Sequence, residues 1–173
     1  MAVTLIVEDG TGRSDANTLV SLAGAKSYWD ERGTAYSAFT DDVLNAAIVR
    51  SCAFLANAFR WQGLKVNMRT QTMPWPRFDT FDRDGWSVLS TEIPREVIAA
   101  ACEIAIYEAA NPGAMTPSVV LADKVQSEQV GSIRVEYANV YSSASASRPV
   151  LVYVNDLLFP FLATDVGVSL LRV

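Results

Sequence analysis

Residues 41–59 read DDVLNAAIVRSCAFLANAF. Apolar side chains recur there every three or four residues, the spacing that places them on one face of an α-helix. Thr40 comes just before, with a hydroxyl that can cap the first turn, and Asp41 and Asp42 then lie where the helix dipole favours negative charge. The stretch therefore predicts a helix of about five turns. Its apolar stripe consists of Val43, Leu44, Ala47, Ile48, Cys52, Leu55 and Phe59.

Helices are also predicted on either side of this one. Ser21 is a suitable N-cap for LAGAKSYWDER, and Gly33 stands where a helix commonly ends. Pro94 can open PREVIAAACEIAIYEAA, because the first turn of a helix needs no N–H from proline, and the sequence Asn-Pro-Gly at 111–113 ends it. Alternation in VTLIV, residues 3–7, predicts a short strand. The buried face of the third helix is predicted to contain Val97, Ala101, Ile104 and Ala105.

The remainder of the chain predicts a small β-element and a separate C-terminal part. DKVQSEQV and SIRVEYA alternate around a glycine, which predicts a β-hairpin at about 124–137. The small polar run SSASAS predicts a linker over 142–148, followed by a C-terminal helix and arm over 149–173. The predicted fold class is therefore mainly α. It is a small helical bundle, with its main domain over 1–141, a β-hairpin, a long proline-containing loop and an extended C-terminal arm.

Composition excludes several classes of function. The chain has no histidine, the side chain most used in acid–base catalysis and zinc binding, and no catalytic, cofactor-binding or metal-binding motif, so we expect no enzyme and no cofactor. Cys52 and Cys102 stand alone in helical patterns and are expected to be buried free thiols, as suits a reducing cytoplasm. No apolar run is long enough to span a membrane, and no export signal is recognisable at the start of the sequence. A soluble protein without membrane contact is expected.

Net charge argues against tight binding of duplex DNA, which depends on neutralising phosphates. The chain carries a net charge of −5. However, residues 50–95 hold seven basic and four acidic side chains, so the one basic zone coincides with the long loop. That loop also contains QTMPWPRFD at 71–79, in which Pro74 and Pro76 fix an extended course.

The loop interleaves aromatic and basic residues, and two interpretations are open. Such a mixture suits single-stranded nucleic acid, whose bases stack on rings and whose phosphates meet cations. Alternatively, the rings pack the loop onto the helices while the arginines reach carboxylates of the same or a neighbouring subunit. The second interpretation is favoured, because several of the rings adjoin prolines and apolar residues. The cluster comprises Trp61, Trp75, Phe78, Phe81 and Trp86 with Arg60, Lys65, Arg69, Arg77 and Arg83.

Residues 80–91 partly resemble a calcium-binding loop. Asp82, Asp84 and Gly85 match its third, fifth and sixth positions, but Thr80 and Thr91 stand where the first aspartate and the final glutamate belong. A plain Asp-Gly turn is therefore predicted rather than a metal site.

Several motifs follow one another in the order found in a known family. They are VEDGTGRSDANTLVSLAGAKSYWDERG (7–33), RSCAFLANAFRWQG (50–63), QTMPWPR (71–77), the DRDG turn (82–85) and EIPREVIAAACEIAIYEA (92–109), with KVQSEQVGSIRVEY (124–137) downstream. This set resembles tailed-bacteriophage head–tail adaptor proteins, also called connector or neck proteins. The same family is also labelled putative DnaT-like single-stranded DNA-binding domain.

The resemblance implies a structural, non-enzymatic protein of the virion neck, assembled in the host cytoplasm. Such adaptors form a homo-oligomeric ring, typically a dodecamer, beneath the portal protein and above a neck or tail-completion protein. Double-stranded DNA passes through the ring without sequence-specific binding during genome ejection. The alternative implied by the second label is a DnaT-like replication protein that binds single-stranded DNA.

Two zones are predicted to contact a neighbouring subunit or the portal. The first is the loop around Gln71, Trp75 and Arg77. Within it, Trp75 is expected to pack against the helices, and Arg77 to meet a carboxylate across a subunit boundary. The second is the apolar tail, with Val166, Val168, Leu170, Leu171, Arg172 and Val173.

Overall fold

A computed structural model describes residues 3–117, 127–130, 133–136 and 148–163. Within these ranges the protein is mainly α-helical, as predicted, with two small antiparallel β-pairs. The elements in chain order are α1 (Leu22–Glu31), α2 (Asp41–Ala58), β1 (Leu64–Lys65), β2 (Arg77–Phe78), α3 (Arg95–Ala110), β3 (Ser127–Val130), β4 (Ile133–Glu136) and α4 (Val152–Leu158), which a 3₁₀ turn (Phe159–Phe161) extends.

The predicted caps of the first two helices are confirmed. The Ser21 hydroxyl accepts the Gly24 N–H at 3.1 Å, and the Thr40 hydroxyl accepts the Val43 N–H at 3.4 Å. Each cap satisfies one of the backbone donors that a helix start leaves without an intrahelical partner. Gly33 has a φ of +63°, the left-handed conformation in which glycine avoids the strain of a Cβ atom. The chain therefore turns sharply after α1.

The core lies between α2 and α3, with α1 against both and α4 on α3. Leu44, Ile48 and Leu55 of α2 are completely buried, and each such side chain stabilises the fold by about 1.5–3 kcal/mol. All four residues predicted for the buried face of α3 are in this core, where their alanines permit a close approach of α2. Cys52 and Cys102 are buried free thiols, as predicted.

The predicted β-hairpin is confirmed, and the predicted N-terminal strand is not. β3 pairs antiparallel with β4, with Val130 opposite Ile133. The segment 3–7 forms only one isolated bridge, Val7 with Thr18. Its backbone is satisfied locally instead: the Asn17 side chain accepts the Ile6 N–H at 2.7 Å, and the Asn17 N–H donates to the Ile6 carbonyl at 2.9 Å. A turn-forming asparagine thus replaces a partner strand.

The C-terminal part contains the predicted short helix. α4 begins at Val152, within the predicted C-terminal part, and Leu158 and Phe161 are buried in the common core. The predicted linker, apart from Arg148, and the arm beyond residue 163 lie outside the described residues. None of the helices in the described ranges has both the length and the apolar character needed to cross a membrane.

Candidate nucleic-acid interface

Trp75 lies at the centre of the core. Its side chain is completely buried, and its ring meets the rings of Trp61 and Phe161 edge to face, at centroid distances of 6.0 and 5.6 Å. Such pairs stabilise a core beyond the area they bury. The prediction that Trp75 packs against the helical bundle is therefore confirmed. Neither Trp75 nor Trp61, which is only 8% exposed, offers a ring face to a base.

Arg77 is also bound inside the fold. Its Nε donates to the Gln62 carbonyl at 2.6 Å, Nη1 to the Pro74 carbonyl at 3.1 Å and Nη2 to the Gly63 carbonyl at 2.7 Å. Burial lowers the pKa of this guanidinium. Within its own chain the partners of Arg77 are backbone carbonyls, and the contact with a carboxylate across a subunit boundary stays a prediction. The planar guanidinium of Arg77 thus joins three backbone carbonyls of the loop.

Gln71 completes this internal network. Its side-chain amide donates to the Met73 carbonyl at 3.1 Å and to the Pro76 carbonyl at 3.0 Å, while its Oε1 accepts the Asn67 N–H at 3.3 Å. Gln71, Trp75 and Arg77 are all buried. The contact of this zone with a neighbouring subunit or the portal stays a prediction. The tail residues predicted for the second zone, Val166 to Val173, lie outside the described residues.

The exposed part of the aromatic–basic cluster is a tight turn over residues 80–88, which we call the 80–88 turn. Phe81 and Ser87 form an antiparallel bridge, and the Asp82 N–H donates to the Trp86 carbonyl at 2.9 Å. The Gly85 N–H donates to the Asp82 carbonyl at 3.2 Å, with Gly85 at a φ of +85°. This is a three-residue connection that needs a left-handed residue before the chain returns.

Asp82 holds the turn through its side chain. One carboxylate oxygen accepts the Asp84 N–H at 2.9 Å and the Trp86 N–H at 2.8 Å. The predicted Asp-Gly turn is thus confirmed, and it fixes the backbone from which the Trp86 side chain projects. An aspartate that hydrogen-bonds the backbone two residues further on is a common way to stabilise a turn. The part of the chain that the structure describes contains no cluster of metal-ligating side chains.

Within the aromatic–basic cluster, Trp86 and Phe81 are the exposed rings. Trp86 is 74% exposed and Phe81 is 49% exposed. Because Phe81 lies opposite Ser87, and neighbouring residues of an extended strand point to opposite faces, the rings of Phe81 and Trp86 lie on opposite faces of the turn. Each face can therefore accept one base, and the two rings do not form a continuous stacking surface.

The charge around the turn is mixed. Arg83 is exposed at its tip and donates one N–H to the Asp156 carbonyl at 3.3 Å. A groove of about 470 Å³ beside it contains Arg83 and Arg95 but also Asp82, Asp84, Glu96 and Asp156. Arg83 is exposed and forms no ion pair with a carboxylate of the described residues, so its charge is accessible to a phosphate. The surrounding carboxylates limit how many phosphates could bind there.

The other cations of the predicted cluster are spread over different environments. Lys65 is half-buried and donates to the Gln71 carbonyl at 3.0 Å; burial and the neighbouring Arg77 lower its pKa. Arg60 and Arg69 are exposed. The structure thus divides the cluster into an internal group around Trp75 and an external group around Trp86.

A protein-family model described as "Putative DnaT-like ssDNA binding protein" matches residues 3–173. The chain therefore belongs to this family. No curated protein and no solved structure matches it significantly.

Proposed function

We propose that this member of the DnaT-like family binds single-stranded DNA through the 80–88 turn, without enzymatic activity. The observation that carries the proposal is the exposure of the Trp86 ring on a turn that Asp82 and Gly85 hold in place. The family description supports the same class of ligand. A ring on a preformed turn loses little freedom when a base stacks on it, which favours binding.

The expected affinity is modest. A base stacked on an aromatic side chain contributes about 1–3 kcal/mol, and Arg83 can add one charge-assisted contact to a phosphate. The net charge of −5 opposes accumulation of further phosphates. With one or two phosphates contacted, the logarithm of the binding constant should fall with the logarithm of salt concentration with a slope of about −1. A much steeper slope would mean that a larger basic surface is involved.

Fluorescence anisotropy with a labelled oligothymidine provides the test. Trp86→Ala should weaken binding by roughly tenfold, which corresponds to about 1.4 kcal/mol of lost stacking. Leu89→Ala is the matched control, because Leu89 is an exposed apolar side chain, 68% accessible, just beyond the same turn. Unchanged affinity in Trp86→Ala, or an equal loss in Leu89→Ala, would refute the assignment of the interface.

The second candidate function is that of a head–tail adaptor of a tailed bacteriophage. The observation that favours it is an exposed apolar surface at α4, where Val150, Val152 and Phe159 are between 66% and 74% exposed. Exposed apolar side chains grouped in this way are typical of protein contacts. In this role the chain would form a ring, bind the portal protein and a neck or tail-completion protein, and belong to the virion neck. DNA would pass through the ring without sequence-specific binding.

Light scattering of the purified protein, together with electron microscopy, separates the two candidates. Ring-shaped particles that do not retain oligothymidine would favour the adaptor and contradict single-strand binding. A monomer that binds oligothymidine through Trp86, and does not join heads to tails in extracts, would favour the DNA-binding function.

A further inference from the structure

A groove on the outer face of α2 combines basic, polar and aromatic side chains. It has a volume of about 210 Å³ and lies away from the 80–88 turn. Arg50, Phe54 and Asn57 come from α2, and Arg148 comes from the segment that leads into α4. Phe54 and Arg148 are far apart in the chain, and only the fold brings them together.

The two arginines of the groove are held in different ways. Arg50 Nε donates to Glu108 at 2.9 Å. Burial of Glu108 opposes its ionisation, but hydrogen bonds from the N–H groups of Met115 and Gly113 and the contact with Arg50 outweigh that effect and lower its pKa. Glu108 is therefore a carboxylate with several donors, and it balances the charge of Arg50. Arg50 lines the groove, its side chain is 39% exposed, and its terminal nitrogens make no hydrogen bond to the described residues.

Arg148 is the second basic side chain of the groove. Its guanidinium carbon lies 5.8 Å from the centre of the Phe54 ring, and it has no ion pair with the described carboxylates. A guanidinium at a ring face keeps its N–H groups directed outward, where they can bind an anion in a bidentate manner. Asn57 and Thr116, which also line the groove, add uncharged polar groups beside it.

A second groove of about 190 Å³, lined mainly by apolar side chains, adjoins the first, and Phe54, Ala58 and Arg148 line both. Its other walls include Phe59 and Leu151. The Phe54 and Phe59 rings meet edge to face at 5.7 Å, and Phe59 in turn meets Trp61 at 5.9 Å. The apolar groove is therefore backed by the same series of rings that contains Trp75, which gives it a rigid wall.

We propose that these adjoining grooves bind a nucleoside phosphate. The phosphate lies between Arg50 and Arg148, where charge-assisted hydrogen bonds favour an anion. The base lies in the apolar groove, against Phe59 and Leu151. A free nucleotide and one nucleotide unit of a single strand offer the same chemistry, and in the second case the proposal rests on the proposed function. The grooves would then hold a nucleotide of the strand at a distance from the 80–88 turn.

Calorimetric titration of the full chain with thymidine monophosphate tests the site. We expect saturable binding with one nucleotide per chain, and Arg148→Gln should weaken it at least about tenfold through loss of a hydrogen bond to a charged group. Arg13→Gln is the matched control, because Arg13 is a partly exposed arginine that already pairs with Asp15 and lies outside both grooves. Thymidine, which lacks the phosphate, should bind more weakly than the monophosphate. Inorganic phosphate should compete with it.

Two outcomes would overturn the proposal. One is the absence of saturable binding of the monophosphate. The other is an equal effect of Arg148→Gln and Arg13→Gln. Phe59→Leu provides a second variant that keeps an apolar side chain in the core, and it should weaken binding of the monophosphate more than binding of inorganic phosphate.

Oligothymidine distinguishes failure of this site from failure of the proposed function. If the monophosphate binds in an Arg148-dependent manner while oligothymidine does not bind, the grooves are a free-nucleotide site and the proposed function is wrong. If oligothymidine binding depends on Trp86 but Arg148→Gln leaves both ligands unaffected, the proposed function stands and the groove proposal is wrong. If Arg148→Gln weakens both ligands, the grooves hold a nucleotide of the strand.

Discussion

Trp75 and Trp86 allow one substitution to be compared in two opposite environments. Both side chains belong to the aromatic–basic loop, and Trp75 is fully buried whereas Trp86 is 74% exposed. Replacing either with alanine removes the same ring. We expect Trp75→Ala to reduce the free energy of unfolding strongly and Trp86→Ala to leave it nearly unchanged.

The magnitude for Trp75 follows from its contacts. Truncating a buried tryptophan costs about 3–5 kcal/mol, and Trp75 also loses two edge-to-face pairs, with Trp61 and Phe161, each worth about 0.5–1.5 kcal/mol. The free energy of unfolding that Trp75→Ala loses should therefore lie towards the upper end of the range of about 3–5 kcal/mol. Trp86 has few contacts to lose, so its alanine variant should stay within about 0.5 kcal/mol of the unmodified protein.

Urea denaturation followed by far-ultraviolet circular dichroism measures both variants. Trp75→Ala should unfold at a clearly lower urea concentration with an unchanged slope, since a change in midpoint at constant slope reports stability. A stability loss below about 1 kcal/mol for Trp75→Ala would refute the reasoning, because it would place the ring outside the core. Oligothymidine binding that is lost in Trp75→Ala while the protein remains folded would likewise contradict it.

Three further predictions concern buried polar groups and a close backbone contact. Glu108→Gln should reduce the free energy of unfolding by about 1–3 kcal/mol, because it weakens the bond to Arg50. Since folding lowers the pKa of Glu108, its stabilising contribution is present above the ordinary value of 4.5 and is lost as pH falls below it. Urea titrations between pH 3 and 6 should therefore show a larger loss of stability in the unmodified protein than in Glu108→Gln. Arg77→Lys should cost about 1–3 kcal/mol, because an ammonium does not reach all three carbonyls in the geometry of a guanidinium, and thermal unfolding measures it. Gly63→Ala should cost about 1–3 kcal/mol in the same measurement, because a Cβ atom at Gly63, which has a φ of +59°, would overlap the Phe78 carbonyl oxygen. If the urea or thermal unfolding midpoint of one of these variants is unchanged, the contact from which its loss of stability is predicted does not stabilise the fold.

The sequence predicts those elements of the fold whose cause is local. Ser21 and Thr40 cap their helices because a hydroxyl and the backbone donor it binds are three residues apart. The helical repeat accounts for the buried face of α3 and for most of the α2 stripe, but Val43, which the predicted stripe includes, is 38% exposed. The Asp-Gly turn likewise depends on contacts between residues 82 and 86. These elements can be predicted from neighbouring residues alone, because the contacts and spacings that produce them are local.

The partners of the buried part of the aromatic–basic loop could not be predicted in the same way. The sequence predicts that Trp75 packs against the helices, but it does not identify Phe161, from the C-terminal part, as one of the rings that Trp75 meets. The partners of Arg77 are backbone carbonyls. Because every residue has a backbone carbonyl, no sequence pattern predicts which of them Arg77 binds. The groove between Phe54 and Arg148 could not be predicted either, since its two sides come from distant parts of the chain.

The most direct test of the proposed interface is a nuclear magnetic resonance titration of the four tryptophan indole N–H signals with oligothymidine. Trp86 is the only exposed tryptophan of the four, all of which lie in the described residues. The N–H groups of Trp29 and Trp61 are bonded inside the core, to the carbonyls of Cys102 and Leu55. The account predicts that the Trp86 signal shifts on binding while those of Trp29, Trp61 and Trp75 stay in place. A titration in which the Trp75 signal moves and that of Trp86 does not would contradict it.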